Sequence, residues 1–241
     1  MRPRLAAVGC TFAGALGLLA LPATARAAEL PKPAMSLTTA GSYAYGTKVK
    51  ITVTLKARRA GDAVTLYATP AGGKRTRVAS GKVNAAGKLF PAYTVTRATT
   101  FTAVFGGDKG DAPRTVSRTV TVAARVTDAI TGYHKTTRIG GVTYRVYPGT
   151  GTLDLKSTVA PNKAGECLEP ETDQFDAGNG WDADSKYGCD ALDSHSHDAA
   201  PFNLSKAVGD RYRIRADYVR AAKDTANRSA DGPWLYFEVV S

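Results

Sequence analysis

From Lys48 to Lys56 the chain alternates without a break: Val49, Ile51, Val53 and Leu55 are apolar, and Lys48, Lys50, Thr52, Thr54 and Lys56 are polar. Successive side chains leave a strand on opposite sides, so a period of two means one buried face and one solvated face. An amphipathic helix would need apolar residues recurring at three and four, and that pattern is missing. Further strand-like runs follow at Ala63–Thr69, Arg75–Ala79, Lys88–Val95, Thr99–Phe105 and Thr115–Ala123. Between them stand turn residues: Gly61-Asp62, Ala71-Gly72-Gly73, Asn84–Gly87 and Gly106-Gly107-Asp108. Strands at about 8–12-residue spacing with no helical stretch predict an antiparallel sandwich.

A second series occupies the rest of the chain: Gly141–Tyr147, Thr152–Val159, Cys167–Phe175, Lys186–Leu192, Ala200–Leu204, Asp210–Val219 and Trp234–Val240. Arg125–Gly140 is expected to carry the link and the first strand of this series. Each series is about 100 residues, the size of an immunoglobulin-like sandwich. The fold class is therefore read as all-β, two tandem immunoglobulin-like antiparallel β-sandwiches over residues 28–124 and 125–241, meeting near Ala124.

Residues 1–27 read as a secretory leader. Arg2 and Arg4 precede an apolar run from Leu5 to Leu21, Pro22 ends it, and Ala25-Arg26-Ala27 supplies an A-x-A cleavage pattern with the cut after Ala27. A retained anchor is the alternative, but the run is rich in Ala and Gly and weakly apolar for a span of about 20 residues. Val8-Gly9-Cys10 loosely resembles a lipidation box, yet most of the apolar run follows Cys10 instead of preceding it. Cleavage leaves Cys167 and Cys189, which outside the cytoplasm are most simply a disulfide. A metal site is the other reading, and the CxxC knuckle it would favour is missing. No segment after Ala28 is apolar enough to span a bilayer, so the mature chain is expected to be secreted and soluble.

Charge divides the two halves. Residues 28–124 hold 15 Lys/Arg against 4 Asp/Glu, and residues 125–241 hold 14 against 17. Within the second half, residues 166–198 carry ten acids and one base, Lys186. A basic unit is thus joined to one with an acidic edge.

Residues 41–123 resemble the bacterial Ig-like repeats of secreted and surface proteins. The matching stretches are Tyr45-Gly46, Val64-Thr65-Leu66-Tyr67, Val83–Lys88 and Thr99–Asp108. The second half resembles an Ig-like partner domain of secreted proteins from high-GC Gram-positive bacteria, through Cys167-Leu168, Trp181, Cys189, Leu192-Asp193-Ser194, Tyr212–Tyr218 and Trp234. The resemblance implies spacer, adhesion or binding modules and nothing catalytic. Two departures from antibody domains stand out. Asp210–Ile214 has the spacing of a tyrosine corner, but Ile214 stands where the second inter-sheet cysteine would fall, and Phe101 takes the comparable place in the first half.

Chemistry is sparse. There is no G-x-S-x-G elbow, H-E-x-x-H, P-loop or dinucleotide glycine pattern, and no cofactor is expected. His195 and His197, with Asp193 and Asp198, could meet one ion from one strand face, and a solvated polar turn explains them equally well. Asp182-Ala183-Asp184 fails the EF-hand pattern, with Lys186 and Tyr187 at its fifth and sixth positions. Trp181, Tyr187 and Trp234 could form a sugar platform, although Trp234 reads as part of a final core strand. Lys48, Lys50 and Lys56 share one strand face, and Lys74, Arg75, Arg77 and Lys82 add to the basic surface. Without interleaved aromatics, specific nucleic-acid recognition is not expected, and anionic cell-wall polymer or an acidic protein face is the better partner. The function read here is a secreted, non-catalytic binding or structural module; the alternative is a carbohydrate-binding accessory protein or a hydrolase.

One pairing follows from parity. Glu169, Glu171 and Asp173 share a face of one strand, and Arg211, Arg213 and Arg215 share a face of another. If those strands neighbour each other, the acids should meet the arginines on the outer side, with Cys167 among them.

Overall fold

The computed structural model describes residues 29–57 and 61–241. The leader, its cleavage site after Ala27 and Cys10 lie outside the described residues. All regular structure among the described residues is β-strand.

The first half contains β1 (Ala34–Thr38), β2 (Ser42–Ala44), β3 (Thr47–Lys50), β4 (Thr52–Lys56) and β5 (Ala63–Pro70). It continues with β6 (Thr76–Lys82), β7 (Lys88–Leu89), β8 (Ala92–Val95), β9 (Thr99–Phe105) and β10 (Arg114–Ala123). The alternating run from Lys48 to Lys56, read from sequence as one strand, forms two ladders. β3 pairs with β8 and β4 with β7, and the two pairings share one register, from Thr47↔Val95 through Val53↔Leu89. Between them the Ile51 N–H donates to the Pro91 carbonyl at 3.0 Å, and Pro91 has no N–H to return the bond. The ladder lapses there, while the side-chain alternation passes through: Val49, Ile51, Val53 and Leu55 are all buried.

The second half contains β11 (Arg125–Thr131), β12 (Lys135–Ile139), β13 (Val142–Pro148), β14 (Thr152–Ala160), β15 (Cys167–Asp176) and β16 (Gly180–Lys186). It ends with β17 (Asp190–Ala191), β18 (His197–Asn203), β19 (Arg211–Val219), β20 (Ala230–Asp231) and β21 (Leu235–Val240). Arg125–Gly140 thus holds two strands where one was expected. The Lys186–Leu192 strand shrinks to the two residues of β17, and β16 is a strand where a loop was expected.

The two halves repeat one strand order. One sheet runs β1-β4-β7 in the first half and β11-β14-β18 in the second. The facing sheet runs β2-β10-β9-β5-β6 in the first half and β13-β21-β19-β15-β16 in the second, with β12 added outside β13. In each half an early strand lies parallel to the last one, β2 beside β10 and β13 beside β21, and the other neighbours are antiparallel. This is an immunoglobulin-like β-sandwich arrangement. The buried side chains form two clusters, one drawn from residues 35–122 and one from residues 124–239. Phe101 and Ile214, at the places of the missing cysteines, are fully buried, so large apolar side chains fill the space of the inter-sheet pin. The Tyr212 hydroxyl lies 3.5 Å from the Asp210 carboxylate, so its partner is a side chain and not the backbone of a tyrosine corner.

The loop between β19 and β20 reaches the first half. Ala98 N–H donates to the Ala226 carbonyl at 2.6 Å, Asn227 Nδ2 donates to the Thr96 carbonyl at 3.0 Å, and Arg228 donates to Ser42 Oγ at 2.5 Å.

Candidate functional site

The outer face of the β13-β21-β19-β15-β16 sheet carries a ladder of guanidinium groups and aromatic rings that meet edge to face. Arg211 lies 4.0 Å over Phe175, Phe175 packs on Trp181 at 5.3 Å, and Arg213 sits 4.9 Å from Trp181. Arg213 also lies 4.2 Å over Trp234, and Arg215 lies 4.4 Å over the same ring. A branch runs from Trp181 to Tyr236 and on to Tyr144, each step 5.6 Å. The parity of β19 explains the spacing: Arg211, Arg213 and Arg215 point outward while Tyr212, Ile214 and Ala216 enter the core.

Acids complete the ladder. β15 and β19 are antiparallel neighbours with Asp173↔Arg213 and Glu171↔Arg215 in register, as parity predicts. Asp173 Oδ2 accepts from Arg213 Nε at 2.8 Å and from its Nη2 at 2.6 Å, and Glu171 Oε1 lies 2.5 Å from Arg215. The expected third pair does not form. Glu169 sits opposite Asp217 and takes Lys186 at 3.1 Å instead, and Arg211 has an aromatic partner but no acid among the described residues. Cys167 lies on this outer face and is bonded to Cys189, just before β17, with Cα atoms 5.2 Å apart. The disulfide is therefore a staple at the sheet surface.

Asp217 closes the row and touches Arg215 Nε at 3.2 Å. Burial pushes its carboxyl up to about 6, against the pull of Arg215 and with help from Glu171 and Asp231. The folded chain therefore holds this proton more tightly than the unfolded chain does. That preference stabilises at low pH and is lost as pH rises from about 4 through about 6. Asp217→Asn removes the titration. The melting temperature of the native chain minus that of the variant should be largest near pH 4 and shrink by pH 7. A difference that widened with pH would reverse the sign argued here.

The residues singled out in the sequence separate into three places. Lys48, Lys50 and Lys56 are exposed on the outer face of the continuous run formed by β3 and β4, joined across the register by Lys88, which faces Thr54. Phe90, of the same parity, is 63% exposed beside them. Lys74, Arg75 and Arg77 lie on and before β6, in the facing sheet, with Arg75 stacked 3.9 Å over Tyr67. The two basic groups thus belong to different faces, and Lys82 closes the β6 edge.

Trp181 is not in a loop but in β16, and Trp234 is not core: it lies just before β21, half-buried on the ladder. Tyr187 joins neither tryptophan and packs on Phe202 at 4.9 Å, so the three rings do not assemble a platform. Asp193 Oδ1 accepts the N–H groups of His195 and His197, both at 2.8 Å. Those donors hold its carboxyl below the usual range and close a polar turn. Among the described residues no group of three or more His, Cys, Asp or Glu side chains is placed to hold a metal ion.

No protein-family model and no curated protein matches this chain. Similar solved structures include a marsupial T cell receptor, at 12% identity and a TM-score of 0.34 over 85% of this chain and 72% of that one. Another is a tetra-tandem repeat in the extending region of a large adhesion protein, at 13% identity and a TM-score of 0.34 over 84% of this chain and 49% of that one. The D0–D1 domain of intimin is similar at 12% identity and a TM-score of 0.29, over 84% of this chain and 97% of that one.

Proposed function

We propose that this chain is an extracellular, non-catalytic Ig-like module that holds anionic cell-envelope polymer on the lysine face of its first half. The observation that carries this reading is the set Lys48, Lys50, Lys56 and Lys88. All four ammonium groups are exposed on one sheet face, and none forms an ion pair among the described residues. Surface lysines that serve solubility are commonly interleaved with acids. Here acids are almost absent from the first half, and exposed Phe90 gives the polymer an apolar contact beside the charges. The Cys167–Cys189 disulfide supports an oxidising compartment, and the leader over residues 1–27 supplies the route, so secreted chain is expected to start at Ala28.

A poly(glycerol phosphate) column tests the reading. The full mature chain should bind at low salt and elute as salt rises, since exposed charge is screened over about 8 Å at physiological ionic strength. Near an anionic surface each lysine is worth about 1 kcal/mol, so Lys48→Gln, Lys50→Gln and Lys56→Gln together should weaken binding about 100-fold. Replacing Lys74, Arg75 and Arg77 on the other sheet should weaken it far less. Equal losses from both sets, or binding indifferent to salt, would remove the lysine face as the site.

A further inference from the structure

The second half contains a buried amine in contact with a buried carboxyl. Lys163, in the turn between β14 and β15, leaves 5% of its side chain exposed, and Asp224, in the loop after β19, leaves 10%. Lys163 Nζ meets Asp224 Oδ2 directly. The turn gives the amine little freedom, because the Lys163 N–H donates to Ser196 Oγ and Asn162 Nδ2 donates to the Ser194 carbonyl at 2.8 Å.

The surroundings suit more than an ion pair. Tyr218, 1% exposed, places its hydroxyl 3.1 Å from Asp224 Oδ2 and donates to Glu166 Oε2 at 2.6 Å. The Ala226 N–H donates to the other oxygen, Asp224 Oδ1, at 2.7 Å. One carboxyl oxygen is thus polarised by a backbone donor, and the other faces a hydroxyl that leads to a second carboxylate. We propose that Lys163 and Asp224 condense to an amide, a covalent crosslink between the β14–β15 turn and the β19–β20 loop.

The step balances without any co-reactant. Proton transfer across the contact turns the ion pair into the neutral amine and acid that the condensation consumes. The Nζ lone pair then forms a bond to Asp224 Cγ, with the negative charge on Oδ1 stabilised by the Ala226 N–H. The Cγ–Oδ2 bond breaks, and that oxygen leaves as water with the acid's own proton and one lost by the amine. Tyr218 and Glu166 relay the second proton and end unchanged. Nothing is oxidised or reduced. Holding both groups in contact replaces a slow encounter in solution, an advantage equivalent to effective molarities of about 10⁵–10⁸ M in well-oriented cases. The crosslink would lock the loop whose Ala226 and Asn227 reach the first half, and so brace the junction against pulling.

Intact mass spectrometry of the full secreted chain decides the matter. The expected mass is one water below that of the disulfide-bonded chain. Trypsin should fail to cut after Lys163 and should release a branched peptide containing Lys163 and Asp224. Lys163→Arg and Asp224→Ala should each restore the full mass, and Glu166→Gln should leave newly made chain unconverted for longer. A native chain at full mass, cut normally after Lys163, would show the pair to be an ion pair only. Conversion at native speed in Glu166→Gln would remove the relay from the step.

Discussion

Alanine at Gly232 is expected to destabilise the second half by about 3 kcal/mol, lowering its melting temperature by roughly 6–12 °C for a chain of this size. The cause is space. A Cβ on Gly232 would lie 2.0 Å from Asp128 Oδ2 and 2.6 Å from the Ala216 carbonyl oxygen. The Asp128 carboxylate cannot simply swing aside: it points into the sandwich from β11 and accepts the Ala216 N–H at 3.1 Å. Burial already raises its pKa, so moving it away from its one backbone donor leaves a costlier group behind. The Ala216 carbonyl belongs to β19 and also accepts the Gly232 N–H at 2.9 Å, so its retreat would break the bond that seats the β20–β21 connection. Thermal melts of Gly232→Ala and Gly41→Ala make the comparison, since a Cβ at Gly41 meets nothing within 4 Å. Adding Asp128→Ala to Gly232→Ala should recover only part of the loss, because the carbonyl contact persists. Equal melting temperatures for the two glycine variants would overturn the argument.

What the sequence made legible follows the same logic of faces. Strand parity can be read wherever one side of a strand is solvated and the other is not. The alternation from Lys48 to Lys56, and the two rows of β15 and β19, therefore led directly to the buried set and to two of the three acid–arginine pairs. β16 escaped because it is an edge strand with little to bury: Trp181 apart, its residues after Gly180 are exposed, and Asp182-Ala183-Asp184-Ser185 carries no apolar alternation. In the sequence Trp234 reads as core because it adjoins Leu235-Tyr236-Phe237. The signal that corrects it was present, since Phe237 and Val239 face the core and even positions must then face out. The interruption at Pro91 needed only the missing N–H. The Lys163–Asp224 contact had no local signature, because its partners lie 61 residues apart and meet only once both sheets are in place.

Removing the guanidinium of Arg213 should cost roughly 3 kcal/mol, from a forked charge-assisted hydrogen bond and two ring contacts of about 0.5–1 kcal/mol each. Arg213 is the rung that joins the two parts of the ladder. Its guanidinium lies over both tryptophan rings, and its side chain and that of Asp173 are only 22% and 14% exposed. Arg213→Ala would leave Asp173 without its fork and uncover a face of each indole. Arg213→Lys keeps the charge but not the planar fork, so it should recover less than half of the loss. Arg211→Ala, at the end of the ladder with one ring partner and no ion pair among the described residues, should cost under about 1 kcal/mol. Fluorescence reports the site itself, because Trp181 and Trp234 are the two tryptophans of the chain. Emission should shift in Arg213→Ala and Arg213→Lys below the unfolding transition, and should change little in Arg211→Ala. If Arg211→Ala proved as damaging as Arg213→Ala, the stability of this sheet would reside in its total positive charge, and the individual contacts between guanidinium groups, acids and rings would not be what holds its outer face together.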